Sequence, residues 1–474
     1  MSRFSAGTRP LLVRSRPWVG VAAVAGAGAL LLAGCARGSS DQQSPSFTSR
    51  ATVSGSLHVM GFGTGDDVGK NRYDRAAAAM PGVKISLSQG ELDVQAFLSA
   101  VASGKPPDLV YASRDQIGTF ASRGAIVPLD DCLASEHVDP SQFVGSAVQQ
   151  VTFAQHVYGL PEFSTVELTM ANKNLLADAG VTLDDVNGSS WDAVTAANKA
   201  MAKQAGGKVS VIGYDSKLPE FLPLWAKANG ADLISADGRK AQLDDPRVVQ
   251  ALEFAAGIYR DQGGFAGVKT FRDSADFFGK GNQFAAGTLG AMPMENWYVN
   301  TLNEVSPSAP LAFDTVRDTS GTPLAFTSGN AWAIPKGAAN PQAACRFARL
   351  MTETDAWLTA AKDRVSSRTA SDQLFTGLLT ANKAADQQIR ERYVPKDAPE
   401  PWKSAIDAIY AANDHTFAMP ANPADAAFKT AWQDAVNRVL NGQQEPQAAL
   451  AQAQQEAQKA LDDAWATWDE RTGR

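Results

Sequence analysis

The strongest constraint on the fold is a strict alternation of strand-like and helix-like segments once the polar N-terminal stretch is passed. The segment "SLHVMGF" (56–62) alternates apolar and polar residues and closes on a glycine-rich turn; a helical pattern follows around 68–80. Then come the strand "GVKISLS" (82–88), the helix "DVQAFLSAVASG" (93–104) and the strand "DLVYAS" (108–113). Strands separated by helices cannot pair as hairpins, so the expectation is an α/β architecture with a largely parallel sheet. After "HVYGLPEF" (156–163) the pattern starts again, with helices over 172–179 and 191–204 and a strand at "VSVIGY" (209–214). Asp237-Gly238 marks a short hairpin, a helix follows over 245–262, and "LGAMPMEN" (289–296) and "AFTSGNAWAIPK" (325–336) read as later strands. Beyond 341 helices dominate and end in one long amphipathic pattern from 424 to 468.

Residues 1–34 hold Arg3, Arg9, Arg14 and Arg16 and no acidic residue, and 18–32 form an apolar run of Val, Ala, Gly and Leu. A basic region followed by a short apolar one is the pattern of a signal peptide, and this run is too short and too rich in Ala and Gly for a comfortable membrane span. It ends in Leu32-Ala33-Gly34-Cys35, and 36–53 is rich in Ser, Gln and Thr, as a flexible tether is. Without the four leader arginines the formal charge of −7 becomes −11. An acidic chain of this kind argues against nucleic acid as a partner, because phosphate binding needs clustered Lys and Arg. Some 440 residues beyond the leader exceed a single core and predict two or more domains.

Motifs for chemistry are missing. In "GFGTGDDVG" (61–69) a dinucleotide fingerprint would need glycine where Asp66 stands. "SGKPPD" lacks the upstream glycine and the Ser/Thr of a phosphate loop, and there is no G-x-S-x-G or H-E-x-x-H. His58, His137, His156 and His415 are scattered, so neither a metal site nor a cofactor is expected. Cys132 and Cys345 could pair in an oxidising compartment, but their spacing leaves this open.

Six blocks in order resemble one family. "PPDLVYASRDQIGTFASRGAIVPLDD" (106–131), "YGLPEFSTVELTMANKNLLADAGV…SSWDAV" (158–194), "NGADLISADGRKAQLDD" (229–245), "FAAGTLGAMPMENWYVNTL" (284–302), "SGNAWAIPKGAANPQAACRFARLMT" (328–352) and "EPQAALAQAQQEAQKALDDA" (445–464) are similar to blocks of the maltose-binding-protein-like solute-binding proteins of ABC importers. Leu32 to Cys35 resembles the lipobox of bacterial lipoproteins, which implies an acylated Cys35 and a lipid anchor on the extracytoplasmic face of the cell membrane. The resemblance implies two α/β lobes joined by crossing hinge strands, with the ligand cleft between them. The implied division is 1–34 signal peptide, 35–53 lipidated tether, 54–163 plus 320–365 first lobe, and 164–319 plus 366–474 second lobe. Cys132 and Cys345 would then share a lobe, which favours their pairing.

The implied function is capture of a sugar or oligosaccharide by a monomeric, non-enzymatic receptor and its delivery to the membrane subunits of an ABC permease. Alternatives are a glycerophosphodiester or polyol ligand, an exported glycoside-acting enzyme, and a surface lipoprotein without a small ligand. By position in the family blocks, Trp297 would stack on a sugar face, with a core plug as its plain alternative, and Asp115 would accept sugar hydroxyls, with helix capping as its alternative. Asp66 falls in a loop that reaches ligand in the family. Phe163 and Thr165 stand at the crossover where many relatives carry Tyr and Asp, and Gly329-Asn330 stands where a Gly-Gly turn is usual. Trp332, Trp225 and Trp402 are further aromatic candidates, each with a core alternative. Arg364 and Arg368 lie near a position where relatives place a ligand-binding arginine.

Overall fold

In the computed structural model the described residues are 45–473; the leader, Cys35 and the first part of the expected tether lie outside them. Two five-stranded sheets organise the molecule. The first runs in the order Val83–Ser88, Gly55–Met60, Leu109–Ser113, Ser328–Ala333, Leu160–Thr165. Its first three strands are parallel, as the intervening helices Asp67–Ala78 and Val94–Ala102 require, and Ser328–Ala333 inserts antiparallel to both neighbours. The second sheet runs Leu311–Thr315, Glu167–Asn172, Leu289–Glu295, Lys208–Tyr214, Lys203–Ala205. Helices cover the sheets, so central strands such as Leu109–Ser113 and Glu167–Asn172 are largely buried on both faces, while Val83–Ser88 and Lys203–Ala205 at the edges keep exposed residues. Leu109 sits in one apolar cluster with Leu57, Val59 and Phe347, while Val110 and Ala112 sit in another with Phe97 and Phe120.

Local chemistry sets the helix starts. Asp66 accepts from Gly69 N–H at 2.7 Å, Asp93 from Ala96 N–H at 2.9 Å, and Asn172 from Asn174 and Leu175 N–H at 3.0 and 3.1 Å. Two expected helices differ. The 191–204 helix stops at Met201, and Lys203–Ala205 turns back as an edge strand beside Lys208–Tyr214. The pattern over 424–468 is two helices, Asp425–Leu440 and Pro446–Thr472. Gly442 takes φ +67°, and Pro446, which cannot donate into a preceding turn, starts the second. The end of the expected tether is seated on the first lobe: Thr48 N–H donates to Gln342 Oε1 at 2.7 Å, and Phe47 and Val53 pack on its core.

The chain crosses between sheets most directly at Val166, a fully buried single residue between Leu160–Thr165 and Glu167–Asn172. Asn296 clamps it, donating to Val166 O at 2.8 Å through its backbone and accepting from Val166 N–H at 3.1 Å through its amide. A second crossing joins Leu311–Thr315 to Ser328–Ala333. A third segment runs beside the first: Thr380 bridges Phe163, and Ala381 N–H donates to Glu162 O at 3.0 Å. Glu162, fully buried there, is bound by the Arg72 guanidinium and the Tyr111 hydroxyl, and Arg72 also lies 3.7 Å over the Trp357 ring.

The last helices span both lobes. Trp465 and Trp468 pack on Phe153 with ring centroids 5.2 and 4.9 Å away, while Gln454 and Gln458 accept from Leu243 and Ala241 N–H. Cys132 and Cys345 are joined by a disulfide inside the apolar cluster of the first sheet. Among the described residues no helix is long and apolar enough to cross a membrane.

Candidate functional site

Where the two sheets meet, strand ends, the crossings and the helix Asp425–Leu440 line a crevice of about 200 Å³. This is the crevice beyond strand ends where open α/β sheets bind ligands. Ser113 to Asp115 enter it from the end of Leu109–Ser113, and Ser328 and Gly329 from the neighbouring strand. Glu167 and Glu295 enter it from the second sheet, Glu220 and Phe221 from a loop, and Phe428, Lys429 and Trp432 from the helix.

Glu167 and Glu295 are the opposed residues of the antiparallel pair Glu167–Asn172 and Leu289–Glu295. Glu167 is 2% exposed, and one of its oxygens accepts from Phe326 N–H at 2.7 Å. Burial first, and then the Glu295 charge, push its carboxyl well above the usual range. Glu295 is held by Thr165 Oγ1–H at 3.0 Å and by the Trp297 indole N–H at 2.6 Å. The Trp297 ring in turn stacks on Phe278, which is 64% exposed.

Arg114 is completely buried and builds the opposite part of the floor. It donates to Gln150 Oε1 at 2.8 Å, Phe163 O at 2.6 Å and Ser328 O at 2.7 Å. Desolvation lowers its pKa to about 10, which leaves it charged at neutral pH. Lys429 is paired with Asp115 at 2.8 Å. Asp425 accepts from Thr119 and Asn422 N–H at 3.1 and 2.9 Å, and burial pushes its carboxyl well up.

Several sequence candidates meet here. Asp115 and Gly329 line the cleft directly; Asp115 lies inside the short helix Arg114–Gln116 and caps nothing. Thr165 and Trp297 stand one contact behind it, through Glu295, and Phe163 contributes its carbonyl to Arg114. Others do not reach it. Trp225 is fully buried in the second lobe, its indole donating to Ser216 O at 2.9 Å, and Trp402 packs against Phe313. Trp332 is equally buried among Phe62, Tyr111 and Phe347. For all three, a large apolar ring found more contact in the core than at a cleft wall. Asp66 is spent on its helix cap and on Arg364, 2.6 Å away, and neither residue is among those that line the cleft. Asn330 faces Ser113 within the sheet, and Arg368 donates to Leu374 O and Asn303 Oδ1.

The cleft residues missed by sequence reasoning include Glu167, Glu295, Arg114 and Trp432. The two glutamates carried a usable signal, a single charge inside the otherwise uncharged strand runs "STVELTM" and "AMPMEN".

A model of the bacterial extracellular solute-binding proteins matches residues 72–356. A maltooligosaccharide ABC transporter solute-binding lipoprotein of Streptococcus pneumoniae is 24% identical over 297 residues, which is 58% of this chain and 63% of that protein's length. Among solved structures, mannotriose-bound CpMnBP1 superposes with a TM-score of 0.68 at 23% identity, over 85% of this chain and 99% of its own. An ABC substrate-binding protein from Listeria monocytogenes in complex with cycloalternan gives 0.67 at 18% identity, over 86% and 100%.

Proposed function

Because the chain belongs to the bacterial extracellular solute-binding protein family, we propose that it captures a carbohydrate in the interlobe cleft and presents it to the membrane subunits of an ABC importer. The observation that carries this reading is the make-up of the cleft. Carboxyls and amides (Asp115, Gln150, Glu167, Glu295, Asn422) line it together with aromatic side chains (Phe221, Phe326, Phe428, Trp432), a mixture that suits a molecule with a fan of hydroxyls and apolar ring faces. The relatives whose names state a ligand bind saccharides. Acylation at Cys35, anchoring outside the cytoplasmic membrane and action as a monomer complete the proposal. Closure of the lobes would bury the ligand and create the surface a permease recognises.

A phosphodiester ligand loses its support, since Arg364 and Arg368 are committed elsewhere and the lining is acidic. Glycoside hydrolysis finds little, because Glu167 and Glu295 are neighbours on one sheet, and Asp115, which enters from the other, is paired with Lys429. The test is thermal unfolding against a panel of mono-, di- and oligosaccharides and glycerophosphodiesters. A saccharide present at about 100 times its Kd stabilises the protein by about 2.7 kcal/mol and raises Tm. A shift only with phosphodiesters, or with nothing, rejects the carbohydrate reading.

A further inference from the structure

Resting on the carbohydrate reading, we propose that the ligand carries a protonated amine, as an amino sugar or amine-linked saccharide does, and that this ammonium sits between the Glu167 and Glu295 carboxyls. These two residues stand directly opposite each other across antiparallel strands, the arrangement in which like charges repel. Among the described residues no Lys, Arg or His nitrogen lies within 4.0 Å of either carboxyl. The two cations that border the cleft are already engaged: Arg114 with Gln150 and the Phe163 and Ser328 carbonyls, Lys429 with Asp115. Glu220 and Asp425 add further carboxyls to the lining.

Neutral hydroxyls could hydrogen-bond to these oxygens, but they would leave the unfavourable pairing of buried Glu167 with half-buried Glu295 in place. An ammonium removes the repulsion and supplies up to three N–H donors at once. An independent feature points to a ligand in the same cleft. Trp432 lines the cleft at 2% exposure, and its indole N–H is buried with no acceptor in the protein, a donor left for a ligand oxygen. Before binding, Glu167 holds its proton more tightly than an ordinary carboxyl, under the combined effect of burial and Glu295. Arrival of a cation expels that proton to solvent, so the amine compound binds with proton release and an uncharged one does not.

The experiment is isothermal titration of the full chain with the glucosamine disaccharide from chitosan, its N,N′-diacetyl counterpart, maltotriose and mannotriose, in two buffers of different ionisation enthalpy. The free amine is expected to bind on the order of thirtyfold more tightly than the acetylated disaccharide. Its heat should depend on the buffer, and Glu295→Gln should abolish the preference. Equal or tighter binding of the acetylated or neutral sugars, without proton release, overturns the amine proposal and leaves the carbohydrate reading intact. Binding of no saccharide overturns both. The comparison between sugars and the buffer dependence are read on the unmodified protein, so a variant that fails to fold does not spoil the test.

Discussion

Glu167 and Glu295 hold opposed positions on neighbouring antiparallel strands, so the floor of the cleft contains a like-charged pair where sheets ordinarily place complementary partners. The strain this causes is local and electrostatic: Glu167 is buried against its partner and relieved only in part, by the Phe326 N–H and its own backbone N–H. A receptor that closes on its ligand can use such a pair, because the unfavourable term disappears only when the right ligand is present.

Glu167→Gln is therefore expected to stabilise the empty protein while weakening it as a receptor. The folded-state pKa of Glu167 lies above its unfolded value, so the folded chain holds this proton more tightly. Its contribution to stability is largest at acid pH and declines as pH rises above the ordinary carboxyl range. Urea unfolding at pH 8 should show the variant more stable by at least about 0.5 kcal/mol, the scale of one repulsive cross-strand pair. At pH 4 the difference should shrink toward zero.

Gly329 tests how closely the first sheet approaches Arg114. Its φ is +153°, and a Cβ built there collides with the Phe163 carbonyl oxygen and the Arg114 guanidinium. Gly329→Ala must displace either the strand or the buried cation, at an expected cost of about 2–4 kcal/mol. Saccharide affinity should fall with it, since both groups border the cleft. A variant with unchanged melting temperature would show that the floor is more compliant than this packing implies.

Much of the fold was legible because its signals are local. Asp66, Asp93 and Asn172 cap the helices that follow them, and the strand runs around 57, 85 and 110 are continuous enough to recognise. The break between the last two helices was hidden because Ala, Gln and Leu keep a helical period on both sides of Asn441-Gly442. The site was less legible. Asp115 and Gly329 lie in recognisable blocks, but the Glu167–Glu295 pair exists only through strand register, which no local pattern encodes. Trp225 and Trp332 misled because a tryptophan suits a sugar-binding wall and a core equally well.

The Cys132–Cys345 bond joins two segments separated by 213 residues within one apolar cluster. Cross-linking residues so distant in sequence restricts the unfolded chain strongly. A Cys132→Ser, Cys345→Ser double variant should lose about 2–5 kcal/mol of stability. Denaturant unfolding with and without reductant checks this, and reductant should leave the double variant unchanged.

Asp386 offers a pH test of the third crossing segment. It is buried, accepts from Thr380 N–H at 2.7 Å and from the Asn413 amide at 3.3 Å, and has no ion-pair partner; burial raises its pKa to about 7. Of the neighbouring groups, Arg390 lies against the Tyr410 ring and not against this carboxyl. The folded-state pKa exceeds the unfolded one, so the group's stabilisation is complete below pH 4 and is lost as pH rises to about 7. Across that window the loss is on the order of 4 kcal/mol. Asp386→Asn keeps the acceptor for Thr380 and removes the charge. Its stability relative to the original chain should be near parity at pH 4.5 and clearly higher at pH 8, measured by urea unfolding at both values. Since Thr380 bridges Phe163 at the lobe crossing, ionised Asp386 should also loosen that segment, and hydrogen exchange at Thr380 and Ala381 should quicken between pH 5 and 8 beyond the intrinsic rate increase. Equal pH dependence in both proteins would mean that Asp386 ionises without penalty and that water reaches this segment in the folded state.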